Sequence, residues 1–188
     1  MTLFEEAVLF AVQAHSGMKR KKEEIPYILH PMEVASITSS MTADERVLAA
    51  AVLHDTVEDT PTTIEQIEEK FGKRVAELVS AETEDKRKTL PPEATWKIRK
   101  EESLEVLKKT KDLDIKRIWL GDKLSNMRSY FRLQASQGNE FWNSFNQHDP
   151  AMQEWYYRSV AELTSELNET SAWKEYNHLL DIVFEGAS

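Results

Sequence analysis

The most constraining feature of the chain is the run Val47-Leu48-Ala49-Ala50-Ala51-Val52-Leu53, which ends in His54-Asp55 and is followed one helical turn later by Glu58-Asp59. A run of small and aliphatic residues belongs in an interior. Closing it with four groups that bind metals or move protons sets those groups at the edge of a core. Residues three and four apart share a helix face, so Asp55 can point with Glu58 and with Asp59 into one cavity. That is the geometry of a metal site with acid/base groups beside it, and it makes an enzyme the leading expectation.

The surrounding pattern is helical. Leu3, Phe4, Ala7, Val8, Phe10, Ala11 and Ala14 follow amphipathic spacing, and Thr2 with Glu5 makes a capping box. Pro31 suits a first helical position, with Val34, Ala35 and Ile37 behind it. Thr42 with Glu45 predicts a box opening the helix that ends near His54. Thr62 with Glu65 predicts another, whose helix Gly72 stops. Further helices are expected over 73–82, 93–109, 115–133 and 149–167, and from Ser171 onward. Residues 86–92 read as a loop, because Pro91-Pro92 breaks a helix. No period-two alternation survives inspection. The expectation is one all-α domain over residues 1–188, a single compact helical bundle.

Composition removes several function classes. With no Cys there are no disulfides, no thiolate zinc sites and no cysteine nucleophile. A formal net charge of −9 argues against binding a nucleic-acid polymer. The sign reverses at Lys19-Arg20-Lys21-Lys22, which is either a solvated turn or a place for a small anionic ligand. No stretch reaches the roughly 18 apolar residues that a membrane span requires. The acidic start Met1-Thr2-Leu3-Phe4-Glu5-Glu6 lacks the basic region of a signal peptide, so a cytoplasmic location is expected.

Four residues are candidate metal ligands: His30, His54, Asp55 and Asp122. Two neutral imidazoles and two carboxylates balance one divalent cation, and mixed nitrogen and oxygen donors suit Mn²⁺, Fe²⁺ or Zn²⁺ better than Ca²⁺. Each residue also has an ordinary alternative. His30, beside Pro31, can be a hydrogen-bonded surface residue. Asp122 can be paired with Lys123 or Arg128.

Taken together, these pieces resemble the HD-domain metal-dependent phosphohydrolases, and within them the hydrolase domain of the RelA/SpoT alarmone proteins and their small stand-alone SpoT-like relatives. The matching pieces are Ala14-His15-Ser16-Gly17, Arg20-Lys21, Pro26-Tyr27-Ile28-Leu29-His30-Pro31, the stretch Ala50 to Thr60, Phe71-Gly72, and Gly121 to Arg128. They fall in the family's order over roughly residues 3–132, with a C-terminal helical extension beyond. Thr83-Glu84-Asp85-Lys86 has the family's Thr-x-Asp-Lys character, and Trp155-Tyr156-Tyr157-Arg158 resembles a stretch of the small stand-alone members.

The resemblance implies that His30, His54, Asp55 and Asp122 hold one divalent ion, usually Mn²⁺. It implies that Glu58 and Asp59 handle the attacking water and its proton, and that Arg20, Lys21 and Asn126 contact nucleotide or phosphate. The implied reaction releases pyrophosphate from the 3′ position of a guanosine 3′,5′-bis(diphosphate). The alternatives are a nucleotidase or phosphatase using the same ligands, and a nucleotide-binding regulator without turnover. The oligomeric state stays open.

Other residues draw plainer readings. His15 is expected to pack or hydrogen-bond beside the site, and His148 and His178 to lie on the surface. Tyr156 and Tyr157 are core anchors or a stacking platform. Trp96, Trp119, Trp142, Trp155 and Trp173 are expected in the core. Glu101, Glu102, Lys108, Lys109 and Lys111 form a solvated face.

Overall fold

A computed structural model describes residues 1–20, 23–87 and 89–185. Among them every regular element is a helix. In chain order these are α1 (Leu3–Ala14), α2 (Leu29–Ser39), α3 (Glu45–Leu53), α4 (Thr56–Asp59), α5 (Ile64–Phe71), α6 (Lys73–Glu82), α7 (Pro92–Lys109), α8 (Leu113–Gln137), α9 (Pro150–Leu163) and α10 (Ser171–Glu185). Short 3₁₀ turns follow α8 at Gly138–Ser144 and α9 at Ser165–Leu167. The basic turn ahead of α2 is closed by an isolated antiparallel bridge between Lys19 and Pro26. No described helix is long and apolar enough to cross a membrane.

The helix starts show which capping signals prevail. Thr2 and Glu5 form the expected reciprocal box. At α3 the cap is Asp44, whose Oδ1 accepts Arg46 N–H at 2.9 Å, while Thr42 Oγ1 instead accepts Asp44 N–H. At α5 the box is Thr63 with Gln66, one residue later than Thr62 with Glu65. Two neighbouring threonines offer the same local chemistry. The winning register accompanies burial of Ile67 and Phe71 on α5. Pro31 is the third residue of α2, where the first-turn N–H has no intrahelical partner to lose.

Two apolar clusters form the interior. One lies among α1, α2, α3, α5 and α6 and is built of Ala7, Ala11, Ala35, Ala49, Ala50, Ala51 and Ala76 with Val, Leu and Phe71. The other lies among α7 to α10 and carries Trp96, Trp119, Tyr130, Phe141, Trp142, Tyr156, Tyr157, Tyr176 and Phe184. Helix α8 serves both, with Ile118 in the first and Leu120, Leu124 and Met127 in the second. Where α8 crosses α2, Gly121 has no room for a side chain. A Cβ there would lie 2.7 Å from Thr38 Oγ1 and 3.2 Å from the Val34 carbonyl oxygen. That close approach sets Asp122 beside the start of α2.

The tryptophans divide. Trp96, Trp119 and Trp142 are buried and Trp173 is half-buried, but Trp155 is 36% exposed, which corrects the core expectation for it. On α9 the inward face is taken by Gln153, Tyr156, Tyr157, Val160 and Ala161. Trp155 stands next to Glu154 and Arg158, which pair with each other. His148 and His178 are exposed, as are Glu101, Glu102, Lys108, Lys109 and Lys111.

Candidate active site

Three helical regions deliver the candidate ligands. His30 is in the first turn of α2, His54 and Asp55 occupy the break between α3 and α4, and Asp122 is in the middle of α8. His30 Nε2 lies 3.1 Å from Asp122 Oδ1 and 3.6 Å from Asp55 Oδ2. His54 Nε2 lies 3.1 Å from Asp55 Oδ2 and 3.9 Å from Asp122 Oδ1. Donor atoms of His30, His54 and Asp122 all fall within 4.8 Å of one another. Ligands at about 2.0–2.2 Å from an ion, set at right angles, are about 3 Å apart, so this spacing suits a shared cation.

The hydrogen bonds behind the imidazoles aim them. His54 Nδ1 is 2.8 Å from the Ala51 carbonyl oxygen, which can only accept, so Nδ1 carries the proton and Nε2 keeps its lone pair in the neutral ring. His30 Nδ1 is 2.9 Å from Ser125 Oγ, whose own proton goes to Glu33 Oε2 at 2.7 Å. Ser125 therefore accepts from His30, and Nε2 again faces inward. Glu33 is held in turn by Arg128, 3.1 Å from Oε1. Outer partners of this kind orient metal-binding histidines. His54 Nε2 is buried and has no hydrogen-bond partner despite its contact with Asp55. An orphaned, inward-aimed nitrogen between two carboxylates fits a cation.

Charge points the same way. Burial opposes protonation of His54, but Asp55 and Asp122 push it up to about 10, whereas burial pulls His30 down. Burial likewise opposes ionisation of both carboxyls. His54 nonetheless holds Asp55 below the usual carboxylate range, and Lys123 with His30 holds Asp122 well below it. The two carboxylates thus favour positive charge beside the imidazoles, which a divalent cation would supply in place of a proton. Lys123 does pair with Asp122, through Oδ2, which leaves Oδ1 toward the histidines. Arg128 is engaged by Glu33 and Glu175 instead.

The short helix α4 carries Glu58 and Asp59 into the same cavity, which has a volume of about 350 Å³. Tyr27, kept protonated by burial and the carboxylates around it, places its hydroxyl 2.6 Å from Asp55 Oδ2 and 3.1 Å from Asp59 Oδ2. Burial and the Asp55 charge push the Glu58 carboxyl up, against the pull of Lys86. Lys86 Nζ is 3.1 Å from Glu58 Oε1 and also contacts Asp59 Oδ1. Glu82 lines the cavity as well, and burial holds its carboxyl well above the usual range.

On the opposite wall Arg20 Nη2 donates to Asn126 Oδ1 at 2.7 Å, and Asn126 Nδ2 donates to Asp122 Oδ1 at 2.9 Å. Arg20 is therefore joined to the ligand cluster through a single side chain. Lys21 lies outside the described residues. His15 is buried against Tyr27, ring centroids 4.9 Å apart, with neither nitrogen hydrogen-bonded within the protein. Tyr156 is buried, as expected of a core anchor, and also lines the cavity.

Tyr27, Lys86, Ser125 and Glu33 drew no role from the sequence. Ser125 was within reach of it, being three residues after Asp122 on one helix face. The other three act across the tertiary structure: Tyr27 and Lys86 stand in stretches that match the family, but no local spacing marks their contacts, and Glu33 left no sign.

An all-helical fold that gathers two histidines and two aspartates, all but Asp55 buried, beside a carboxylate pair defines a protein with a candidate hydrolytic metal centre. The chain belongs to the HD domain family, whose family model matches residues 7–145. It is 42% identical over 133 residues to the guanosine-3′,5′-bis(diphosphate) 3′-pyrophosphohydrolase MESH1 of Xenopus tropicalis, covering 69% of this chain and 70% of that one. It is 39% identical over 127 residues to the guanosine-3′,5′-bis(diphosphate) 3′-pyrophosphohydrolase of Haemophilus influenzae, covering 64% of this chain. The match spans only 18% of the Haemophilus protein, and 17% of the related GTP pyrophosphokinase of Brucella ovis. A solved structure described as a metazoan ortholog of SpoT that hydrolyzes ppGpp superposes with a TM-score of 0.76 at 26% identity, covering 100% of this chain and 98% of the other.

Proposed function

We propose that the chain is a metal-dependent phosphohydrolase that releases pyrophosphate from the 3′ position of guanosine 3′,5′-bis(diphosphate)-type nucleotides. The observation that carries this reading is the convergence of His30, His54, Asp55 and Asp122 in one cavity with Glu58 and Asp59. The similarity to the Xenopus hydrolase, which extends over most of both chains, supports the substrate class.

His30, His54, Asp55 and Asp122 would hold one divalent ion; mixed nitrogen and oxygen donors suit Mn²⁺, Fe²⁺ or Zn²⁺, and the resemblance to the HD-domain phosphohydrolases favours Mn²⁺. Such an ion lowers the pKa of bound water and offsets negative charge on phosphoryl oxygens. The remaining work falls to the chain. Glu58, its carboxyl already raised, takes the proton of the attacking water, and Asp59 orients that water. Tyr27 keeps Asp55 and Asp59 at a fixed separation. Arg20, braced by Asn126, presents guanidinium donors to the polyphosphate, with Lys21 beside it in sequence. Water adds to the phosphorus bonded to the ribose 3′ oxygen, the P–O3′ bond breaks, the proton taken by Glu58 passes to the departing 3′ oxygen, and pyrophosphate is released.

The test is to incubate the purified protein with Mn²⁺ and a panel of nucleotides and identify the products. Pyrophosphate from guanosine 3′,5′-bis(diphosphate) is expected. Orthophosphate alone would make the chain a nucleotidase, and binding without turnover would make it a regulator. Arg20→Ala should weaken capture of the guanosine substrate by about 1.5–3 kcal/mol, the range of hydrogen bonds to charged groups, and leave metal binding unchanged.

A further inference from the structure

The segment joining α6 to α7 lays a cation across the carboxylate pair. Lys86 Nζ meets Glu58 Oε1 at 3.1 Å and touches Asp59 Oδ1, so a single ammonium contacts both members. The other Glu58 oxygen, Oε2, accepts the backbone N–H of Glu84 at 3.0 Å. The Glu84 side chain is itself gripped by α7. It accepts from Lys100 Nζ at 2.8 Å and Ser103 Oγ at 3.4 Å, and it contacts Arg99. A chain of contacts therefore runs from α7 through Glu84 and Lys86 to Glu58 and Asp59.

Two carboxylates next to Asp55 repel each other, and a positive charge between them relieves that repulsion. Lys86 supplies that charge, and its neighbours keep it ionised against the cost of burial. Its ammonium is engaged by both carboxylates, which makes it a poor phosphate ligand and a good spacer.

We propose that Lys86 is a positioning residue for hydrolysis: by bridging Glu58 and Asp59 it holds both in the orientation that receives the proton of the attacking water, and Glu84, anchored on α7, fixes where Lys86 stands. The inference rests on the hydrolytic reading above. Lys86 keeps its own protons throughout, and the proton of the water passes to the pair.

The test compares Lys86→Met, Lys86→Arg and Glu84→Gln in the full chain loaded with Mn²⁺. Two substrates are used, guanosine 3′,5′-bis(diphosphate) and bis(p-nitrophenyl) phosphate. For Lys86→Met, kcat should fall about 10²-fold on both, the scale of a misplaced acid/base group, with KM and metal content at wild-type values. Lys86→Arg should recover at least about tenfold of that loss, and Glu84→Gln should lower kcat by less than Lys86→Met. A crystal structure of Lys86→Met should show the two carboxylates splayed apart.

A raised KM with unchanged kcat would overturn the proposal in favour of phosphate binding. A loss fully explained by a smaller folded fraction would reduce Lys86 to scaffolding. An unmoved pair in the Lys86→Met crystal would also refute it. Wild type active only on bis(p-nitrophenyl) phosphate would remove the guanosine assignment and leave the Lys86 comparison intact. Wild type inactive on both would remove the hydrolytic reading, and the crystal geometry would still decide whether Lys86 sets the pair.

Discussion

The core under α1 to α6 is mostly alanine and valine, whereas the core among α7 to α10 is crowded with tryptophan, tyrosine and phenylalanine. Alanine buries little surface but lets helix axes draw close. Aromatic rings bury about 150–250 Å² each and keep helices farther apart. Every candidate ligand lies in the small-residue half or on the stretch of α8 that crosses it. The aromatic half is closed by its own polar links, with Tyr176 Oη donating to the Tyr157 carbonyl oxygen at 2.8 Å and Tyr157 meeting Tyr130 at 3.1 Å.

Breaking the ligand cluster should have the largest effect on function and little on the fold. Asp55→Asn removes one ligand charge, so activity should vanish together with the rise in Tm that Mn²⁺ gives by mass action on the native state. Melting curves with and without Mn²⁺, with metal content measured alongside, check this. Collapse of the metal-free variant would show that the halves are not separable.

The converse test is Phe141→Ala, fully buried in the aromatic half. It should cost about 3–5 kcal/mol of stability in urea titrations. Metal affinity of the folded fraction should stay at the wild-type value, and a matching loss of affinity would contradict the division.

Within the site, Glu58→Gln keeps size and polarity but removes the base. The rate should fall about 10²-fold, equivalent to about 2.7 kcal/mol, with metal content retained. Parallel loss of metal would make Glu58 a ligand.

Gly121→Ala sharpens the packing contrast. A single methyl group pushed against Thr38 and the Val34 carbonyl should cost about 1–3 kcal/mol and weaken metal binding by moving Asp122 from His30. Destabilisation with unchanged metal affinity would mean that Asp122 tolerates the shift.

The smallest expected effect concerns the start of α3. Hydrogen bonds from Arg46 hold the Asp44 carboxyl down to about 2. A depressed carboxyl stabilises the fold above its unfolded value, near 3.8. That contribution is lost as pH falls from there through about 2. An NMR titration of Asp44 should show the low value, and in Arg46→Ala it should return toward 3.8.

The helices were legible because their periodicity and caps are local. Errors came where two local signals competed. Thr62 and Thr63 each precede an acid or amide by three residues, and the sequence alone does not choose between them. Trp155 reads as core by residue type, yet the inward face of α9 was already filled by its neighbours. The ligand residue types were legible too, because His54-Asp55 interrupts an apolar run. The network behind them was not: Glu33 reaches His30 only through Ser125, and Lys86 reaches Glu58 only through a turn after α6.

The sequence by itself determined the helical character, the absence of thiol chemistry and the kinds of donor available to a metal. Tertiary structure alone decided that residues 30, 54, 55 and 122 approach within 3–4 Å of their neighbours in the cluster. Spacing along one helix is fixed by its 3.6-residue turn. The distance between helices depends on side chains from both partners, as where Gly121 admits Thr38.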